Sequence, residues 1–162
     1  MTGRILGVDP GGTSGAWAVI DDRGGILAAD DLLVAGVGAQ RVISAPLFAA
    51  TVERFTPMQA VIERVGARPG QGVSSMFKFG RGLGIVEGVV AAAMLPVLYV
   101  SPAVWKRHFG LASEKEASRQ RAIEIWPESA SLFSRKRDHG RAEAALIARW
   151  GLSARTVAGG AS

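Results

Sequence analysis

Residues 4–33 read RILGVDPGGTSGAWAVIDDRGGILAADDLL. Three apolar runs in this stretch, at residues 4–9, 15–20 and 26–33, are separated by glycine-rich turns, and each has the length and composition of a β-strand. The turn DDRGG between the second and third runs is typical of a hairpin. The stretch therefore predicts a three-stranded meander.

The rest of the chain alternates helices and strands. Residues 40–55 predict a helix that Pro46 either bends or begins, and residues 59–65 and 96–100 predict two more strands. Further helices are predicted over residues 74–95, from Ser101-Pro102, over 113–126 with a capping box at Ser113 to Glu116, and over 139–150. A meander followed by strands that are joined through helices predicts an α/β fold, with a five-stranded mixed sheet flanked by helices.

Length and composition narrow the class of protein. A chain of 162 residues suits one domain, predicted over residues 1–152, and the small, glycine-containing residues 153–162 predict a flexible C-terminal tail. No cysteine is present, which excludes disulfides and thiolate metal sites and favours a cytoplasmic location. The longest apolar run, residues 89–100, is shorter than the ~20 residues that span a bilayer, so no membrane partner is expected. The net charge of +5 favours a polyanionic partner such as nucleic acid.

Three acidic residues lie where a carboxylate needs an explanation. Asp9 ends the first predicted strand, Glu63 lies inside the apolar strand VIERV, and Glu143 lies near the start of the last predicted helix. Burying a carboxylate is unfavourable unless it is paired or binds a metal, and a divalent cation relieves the repulsion between two neighbouring carboxylates. If the first and fourth strands are neighbours, Asp9 and Glu63 emerge side by side at the edge of the sheet.

Each of these acids also has an ordinary structural explanation. Asp9 begins an Asp-Pro-Gly-Gly sequence, which is good turn chemistry. Glu63 could face water on an edge strand or pair with Arg64 or Arg68. An acid at the start of a helix is favoured by the helix dipole. The sequence leaves these alternatives open for each residue taken alone.

Two further candidate ligands precede Glu143. His139 lies four residues before it and shares its helix face, and Asp138 is the residue before His139. Oxygen and imidazole ligands suit Mg²⁺ or Mn²⁺, whereas a chain with no cysteine and two histidines suits zinc poorly. The acidic set therefore predicts a Mg²⁺ site, with Mn²⁺ as the alternative ion.

The order of these motifs resembles a known family. GVDPGGTSGAWAVI, VIERV and DHGRAEAALIARW are similar to the three acidic motifs of RuvC-type Holliday junction resolvases, in particular the bacteriophage and prophage-like branch. PGQGVSSMFKFGRGLG and SPAVWKRHFGLASEKEASRQRA are also similar to that branch, and the resemblance spans residues 4–150. It implies an RNase H-like fold, a homodimer, and Mg²⁺-dependent hydrolysis that makes paired symmetric nicks in four-way junctions or other branched DNA.

The resemblance implies roles for the acidic residues. Asp9 would bridge two metal ions in each active site, Glu63 would bind one of them, and Glu143 would bind the other together with His139 or Asp138. His139 is alternatively a general base or proton relay, because its unperturbed pKa is near ~6.5.

The fourth ligand departs from the family pattern. Better-known members carry it three residues before the last acid, where this chain has Gly140. His139 or Asp138 must then replace it. Helical spacing favours His139 and makes Asp138 the predicted helix N-cap.

Basic and aromatic residues between the acidic motifs predict the DNA surface. Cationic side chains position phosphates, and an exposed phenylalanine can stack on an opened base. The residues predicted to contact DNA are Phe77, Lys78, Phe79, Arg81, Lys106, Arg107, Lys115 and Arg119. The alternative for the two phenylalanines is helix core or a dimer contact, and Trp105 and Trp126 are predicted to be core.

The glycines at positions 80, 82, 84 and 88 predict close helix packing across a twofold axis in a homodimer.

Two other functions are alternatives to a nuclease. GVDPGGTSG also resembles the phosphate-binding turn of sugar kinases and actin-like ATPases, although those proteins normally need two such domains. A non-catalytic module on the same fold could bind branched DNA without cutting it.

Overall fold

The structure, a computed structural model, describes residues 3–11 and 14–159. The strands are β1 (Ile5–Asp9), β2 (Ala16–Ile20), β3 (Ile26–Asp31), β4 (Val34–Ala35), β5 (Val42–Ile43), β6 (Gln59–Glu63) and β7 (Val97–Val100). The α-helices are α1 (Ala45–Phe55), α2 (Val73–Ala92), α3 (Pro102–His108), α4 (Lys115–Ile125) and α5 (His139–Gly159). Short 3₁₀ helices cover Gly38–Gln40, Pro127–Phe133 and Lys136–Asp138.

Five strands form one mixed sheet in the order β3-β2-β1-β6-β7. β1 pairs antiparallel with β2, and β2 with β3, as the meander predicts. β6 lies parallel to both β1 and β7. The carboxyl ends of β1, β6 and β7 therefore meet at one edge of the sheet, called the carboxyl edge below. The predicted α/β fold with a five-stranded mixed sheet is confirmed.

Helices cover both faces of the sheet. Alternate side chains of each strand point to opposite faces, so Leu6 and Ile62 join a core with Phe48 of α1 and Val86 of α2. On the other face, Ile5 and the neighbouring inward positions pack against α3, α4 and α5. Trp105 and Trp126 are buried in this second core, as predicted.

α5 lies unusually close to the centre of the sheet. A Cβ atom built on Gly7 of β1 would lie 2.1 Å from the carbonyl oxygen of Ala144, and one built on Gly151 would lie 2.4 Å from Val61 Cγ2. The sheet and the helix therefore touch backbone to backbone over Gly7. This contact fixes where the first turns of α5 meet the end of β1.

Two local predictions are wrong in detail. The helix predicted over residues 40–55 begins at Ala45, where the Ser44 side chain accepts a hydrogen bond from the Leu47 amide, and residues 42–43 instead pair with β4. Pro46 thus marks the start of the helix. The capping box at Ser113 is absent, because Glu114 is the N-cap of α4 and makes no side-chain capping bond.

The last helix is longer than predicted. It continues past Trp150 to Gly159 because Gly151 packs on the sheet and Leu152 packs against the core. Residues 153–159, predicted as part of a flexible tail, are helical, and residues 160–162 lie outside the described residues. None of the described helices is both long and apolar enough to cross a membrane.

Candidate active site

Parallel pairing of β1 with β6 brings Asp9 and Glu63 to the carboxyl edge. Val8 is opposite Ile62, and the next residues along the two strands are Asp9 and Glu63. Asp9 follows Ile5 by four residues, so it points to the face that α5 covers. The same alternation places Glu63 on that face, two residues after Val61.

Glu143 of α5 completes a cluster with these two residues. The charge of Glu143 acts on Asp9 more strongly than the charge of Glu63 does. Burial, the charge of Glu143 and the charge of Glu63 together raise the pKa of Asp9 well above its ordinary value. The residues predicted from three separate motifs are thus brought together, and they repel one another when all three are ionised.

Glu63 is buried, with 7% of its surface exposed, and accepts a hydrogen bond of 2.7 Å from Nε1 of Trp105. Burial raises the pKa of Glu63, and Glu143 adds to this, whereas the bond from Trp105 opposes it. The alternative of a water-facing Glu63 is therefore wrong. Within the described ranges no salt bridge joins Glu63 to Arg64 or Arg68, and the Arg64 guanidinium lies over the Tyr99 ring.

Lys106 and Ser118 contact Glu143 from α3 and α4. Lys106 Nζ lies 3.8 Å from one carboxylate oxygen of Glu143, and the Ser118 hydroxyl donates to the same oxygen at 3.4 Å. Lys106 also lies over the Trp105 ring at 5.4 Å. Its charge favours the ionised forms of Asp9 and Glu63. Lys106, predicted as a DNA contact, therefore lies at the edge of the carboxylate cluster.

Sequence reasoning missed Trp105 and Ser118 as parts of this site. A buried indole N–H needs a hydrogen-bond acceptor. The prediction that Trp105 is a core residue therefore also implies a polar partner for its ring, and that partner is Glu63. Ser118 is fully buried in the first turn of α4, and nothing in its sequence context distinguishes it from an ordinary helix residue.

Asp138 belongs to an ion-pair network at the start of α5. It is almost fully buried and accepts a hydrogen bond of 2.8 Å from the Arg135 amide and one of 2.7 Å from the Arg135 guanidinium. Arg141 lies 3.9 Å from Asp138 and binds Asp31 of β3 through two nitrogens. Burial opposes ionisation of Asp138, but the bonds from Arg135 outweigh it and hold its pKa below the ordinary value.

The predicted N-cap role of Asp138 is wrong. A capping carboxylate accepts bonds from the amides ahead of it in the helix. Asp138 instead accepts from the Arg135 amide behind it, because it closes the turn of the preceding 3₁₀ helix. Asp138 is thus engaged with arginines, and its predicted place in the metal site gains no support from these contacts.

His139 and Gly140 occupy the region of the expected fourth ligand. His139 is half-buried, and its Nδ1 lies 3.4 Å from the Lys136 carbonyl oxygen. No hydrogen bond or ion pair between His139 and the three carboxylates occurs in the part of the chain that the structure describes. A Cβ atom built on Gly140 would lie 3.6 Å from Asp9 Oδ2. Position 140 therefore faces the cluster, although its residue has no side chain.

The donor chemistry of the cluster fits a divalent cation. Asp9, Glu63 and Glu143 place negative charge in a buried site where the contacts just described include one cation, Lys106. Hard oxygen ligands of this kind suit Mg²⁺ or Mn²⁺. Within residues 3–11 and 14–159, no group of three acidic or histidine side chains is arranged around a common metal position.

The residues predicted to contact DNA differ in how exposed their side chains are and in whether they already bind other parts of the protein. Phe77 is 70% exposed, and Phe79 is half-buried. Arg81, Arg107 and Lys115 are exposed, and Lys78 is half-buried. The guanidinium of Arg119 donates to the carbonyl oxygens of Phe133 and Ser134 and to Glu116, so it holds α4 to the following segment.

No protein-family model matches the chain. The sequence is 34% identical over 128 residues to a chloroplastic Holliday junction resolvase from Chlamydomonas reinhardtii. The match covers 72% of this chain and 14% of that protein, so the chain spans a small part of the length of its curated relative.

The structure of Thermus thermophilus RuvC in complex with a Holliday junction substrate has a TM-score of 0.74 to this chain, at 22% identity, with coverage of 94% of this chain and 96% of RuvC. The chain has the RuvC fold. The yeast mitochondrial Holliday junction resolvase shares this fold, with a TM-score of 0.64 and 18% identity over 93% of this chain and 78% of that one. The RNase H-like fold that the motifs imply is confirmed. Among proteins with the RuvC fold, the bacteriophage branch remains a prediction for this chain.

Proposed function

We propose that this chain is a metal-dependent endonuclease that resolves four-way DNA junctions. The observation that carries the proposal is the cluster of buried Glu63 with half-buried Asp9 and Glu143 at the carboxyl edge of a RuvC fold. The similarity of sequence to a Holliday junction resolvase supports the substrate, and the net charge of +5 suits DNA. Two finer points remain predictions: that other branched DNA is also a substrate, and that the protein is cytoplasmic.

Each carboxylate has a part in this proposal. Asp9, Glu63 and Glu143 would hold the two Mg²⁺ ions, and His139 is retained as the proposed additional ligand or base. When bound, such ions would supply stabilisation of the charge that develops on the attacking and leaving oxygens of a phosphodiester. Trp105 orients Glu63 through its hydrogen bond, and Lys106 offsets the charge of Glu143. The phosphate groups of DNA would meet Arg81, Arg107 and Lys115.

A homodimer is the proposed assembly, because a junction needs two nicks. Gly80, Gly84 and Gly88 form one exposed stripe along α2, and a Cβ atom built on any of them would meet nothing within 4 Å. An apolar groove of about 870 Å³ between α1 and α2 adjoins this stripe and includes Ile85 and Val89. Sedimentation of the wild type and of Gly84→Trp tests this surface, and the variant is expected to be monomeric.

Cleavage of a synthetic four-way junction tests the function. The protein is incubated with junction, three-way, flap and linear DNA, each with Mg²⁺ and with EDTA. Paired nicks in the junction with Mg²⁺, and none in EDTA or with Asp9→Asn, are the expected result. Junction binding without any nick would favour the non-catalytic module, and binding of a nucleotide in place of DNA would favour the kinase-like alternative.

A further inference from the structure

Four polar or charged side chains are buried among the described residues, and three of them have a clear reason to be there. Ser44 caps α1, Glu63 belongs to the carboxylate cluster, and Asp138 is held by Arg135. The fourth is Ser118, fully buried in the first turn of α4. Burying a hydroxyl is unfavourable unless it is hydrogen-bonded, so the partner of Ser118 indicates what this serine does.

The Ser118 hydroxyl donates outside its own helix. A hydroxyl in a helix often donates to the carbonyl four residues before it, and Thr51, Ser153 and Thr156 do so in this protein. Ser118 donates instead to Oε1 of Glu143 on α5, at 3.4 Å. This hydroxyl therefore links α4 to the carboxylate cluster.

Packing alone does not require a hydroxyl at position 118. Ala122 lies one turn further along the same face of α4 and is fully buried in the apolar core. An alanine at position 118 would bury the same face of the helix without a polar atom that needs a partner. The contact with Glu143 is thus the feature that distinguishes serine from alanine at this position.

Ser118 and Lys106 hold the same oxygen of Glu143. Lys106 Nζ lies 3.8 Å from Oε1, the oxygen that accepts from Ser118. In the part of the chain that the structure describes, no donor or cation is bound to the second oxygen, Oε2. Glu63 is held in a similar way, because one of its oxygens accepts from Trp105. Residues of α3 and α4 thus hold one oxygen of each glutamate and leave the other for a hard cation.

From these contacts we propose that Ser118 is a positioning residue for Glu143 in metal binding. Its hydroxyl fixes the orientation of the carboxylate by holding Oε1, and Oε2 is then available to the divalent cation. A neutral hydroxyl suits this task, because it orients a ligand without supplying positive charge in place of the cation. Lys106 is a long side chain with 21% of its surface exposed, so it fixes the carboxylate less firmly. This inference rests on the proposed function.

Titration with Mn²⁺ alone, followed by the electron paramagnetic resonance of free Mn²⁺, tests this role without DNA. Ser118→Ala removes only the hydroxyl oxygen and should weaken Mn²⁺ binding by about 2- to 10-fold. Ser153→Ala removes a helix hydroxyl that donates to the Arg149 carbonyl, so it is the matched control and should bind Mn²⁺ like the wild type.

Cleavage and junction binding provide a second readout for Ser118→Ala. The Mg²⁺ concentration that gives half of the maximal single-turnover rate should rise by a similar factor of about 2 to 10. The Kd for the junction should stay at the wild-type value, because Ser118 is fully buried and cannot contact DNA.

Two other substitutions separate the hydrogen bond from packing. Ser118→Thr keeps the hydroxyl and should restore Mn²⁺ binding, although its additional methyl group should lower the melting temperature. Ser118→Cys has a similar size but a weak donor, so it should bind Mn²⁺ like Ser118→Ala. If the cysteine variant binds like the wild type and the threonine variant binds worst, position 118 acts by packing, and the proposal is overturned.

Substitution of Glu143 shows whether Ser118 acts through it. Glu143→Asp keeps a carboxylate but draws it back from Ser118 by one carbon, so in this background Ser118→Ala should change Mn²⁺ affinity by less than about 2-fold. An equal effect of Ser118→Ala in both backgrounds would overturn the positioning role. If Glu143→Gln leaves Mn²⁺ binding and cleavage unchanged, the proposed function fails instead. If Glu143→Gln loses both and Ser118→Ala keeps both, only the role of Ser118 fails.

Discussion

At the scale of single residues, the carboxylate cluster makes the metal-free protein less stable than it would otherwise be. The pKa of Asp9 in the folded protein lies above its ordinary value of 3.8. Between those two pKa values the folded state binds more protons than the unfolded chain, so the free energy of unfolding falls as the pH rises through that range. The destabilisation by Asp9 therefore grows as the pH rises above 3.8 and is complete once the pH exceeds the folded pKa.

Asp9→Asn should therefore abolish cleavage and, without metal, raise the melting temperature at pH 7. The gain should disappear below about pH 3.8, where the wild-type side chain is protonated in both states. Thermal unfolding in EDTA across pH, with and without added Mg²⁺, measures both effects. Mg²⁺ should raise the melting temperature of the wild type more than that of the variant. Equal melting temperatures in EDTA would contradict the repulsion described above.

Asp138 and His139 should respond differently to substitution. Asp138→Asn removes the negative charge that accepts hydrogen bonds from the amide and the guanidinium of Arg135, so both bonds become weaker. Because the pKa of Asp138 is lowered, this stabilisation is present above the ordinary pKa and is lost as the pH falls through the folded value. The variant should melt at a lower temperature at pH 7 but cleave normally where it is folded.

His139→Ala should instead leave the melting temperature nearly unchanged and lower the cleavage rate, by ~10²–10⁴-fold if His139 acts as a base. Single-turnover rates on one junction at saturating Mg²⁺ compare the two variants. A wild-type rate for His139→Ala would remove His139 from the proposed site and leave the region of Gly140 without a side-chain ligand.

The acidic residues could be predicted from sequence because each stands out against its own surroundings. Asp9 and Glu63 interrupt apolar strands, and strand pairing follows from the order of elements. The role of Asp138 could not be predicted in this way. Its network reaches Asp31 through Arg141, and those two residues are 110 positions apart, so no local spacing reveals the pair.

At the scale of elements, the contact between β1 and α5 decides where Glu143 lies. Gly7→Ala would place a methyl group 2.1 Å from the Ala144 carbonyl oxygen, and α5 would have to move away from the sheet. Overpacking of this kind typically costs ~1–3 kcal/mol. We expect a lower melting temperature and, because Glu143 moves with α5, weaker Mg²⁺ binding measured by calorimetry. Gly66→Ala, at a loop position with open space around it and no positive φ, is the control and should not lower stability. A Gly7→Ala protein with wild-type stability would contradict the close packing.

Elements with a clear hydrophobic period could be predicted, and short or atypical ones could not. The strands of the main sheet follow their apolar runs closely. β4 and β5 have two residues each, which is too short for any alternation to be visible. The end of α5 was misplaced because Gly151 looks like a helix stop, whereas its function is to let the helix approach Val61.

At the scale of the whole molecule, some cationic side chains stabilise the fold, and others are exposed and could contact DNA. Arg119 is committed to three partners within the protein, and Lys115 is exposed. Lys115→Ala should therefore reduce the slope of log K against log salt by about one unit with little effect on stability. Arg119→Ala should mainly lower the melting temperature. Filter-binding assays with junction DNA over a range of salt concentrations measure the slopes of log K against log salt. If Arg119→Ala reduces the slope as much as Lys115→Ala, its guanidinium contacts DNA in addition to the protein.

The hydrogen bond from Trp105 to Glu63 gives the protein an optical signal of its own. Indole emission responds to charge beside the ring, and both Glu63 and Lys106 lie next to Trp105. Binding of Mg²⁺ at Glu63 should shift or change the intensity of that emission in the absence of DNA. Titration of the wild type, with Trp105→Phe as the control, would then report occupancy of the site before any strand is cut. A Trp105→Phe protein that keeps the full signal would assign it to one of the other tryptophans.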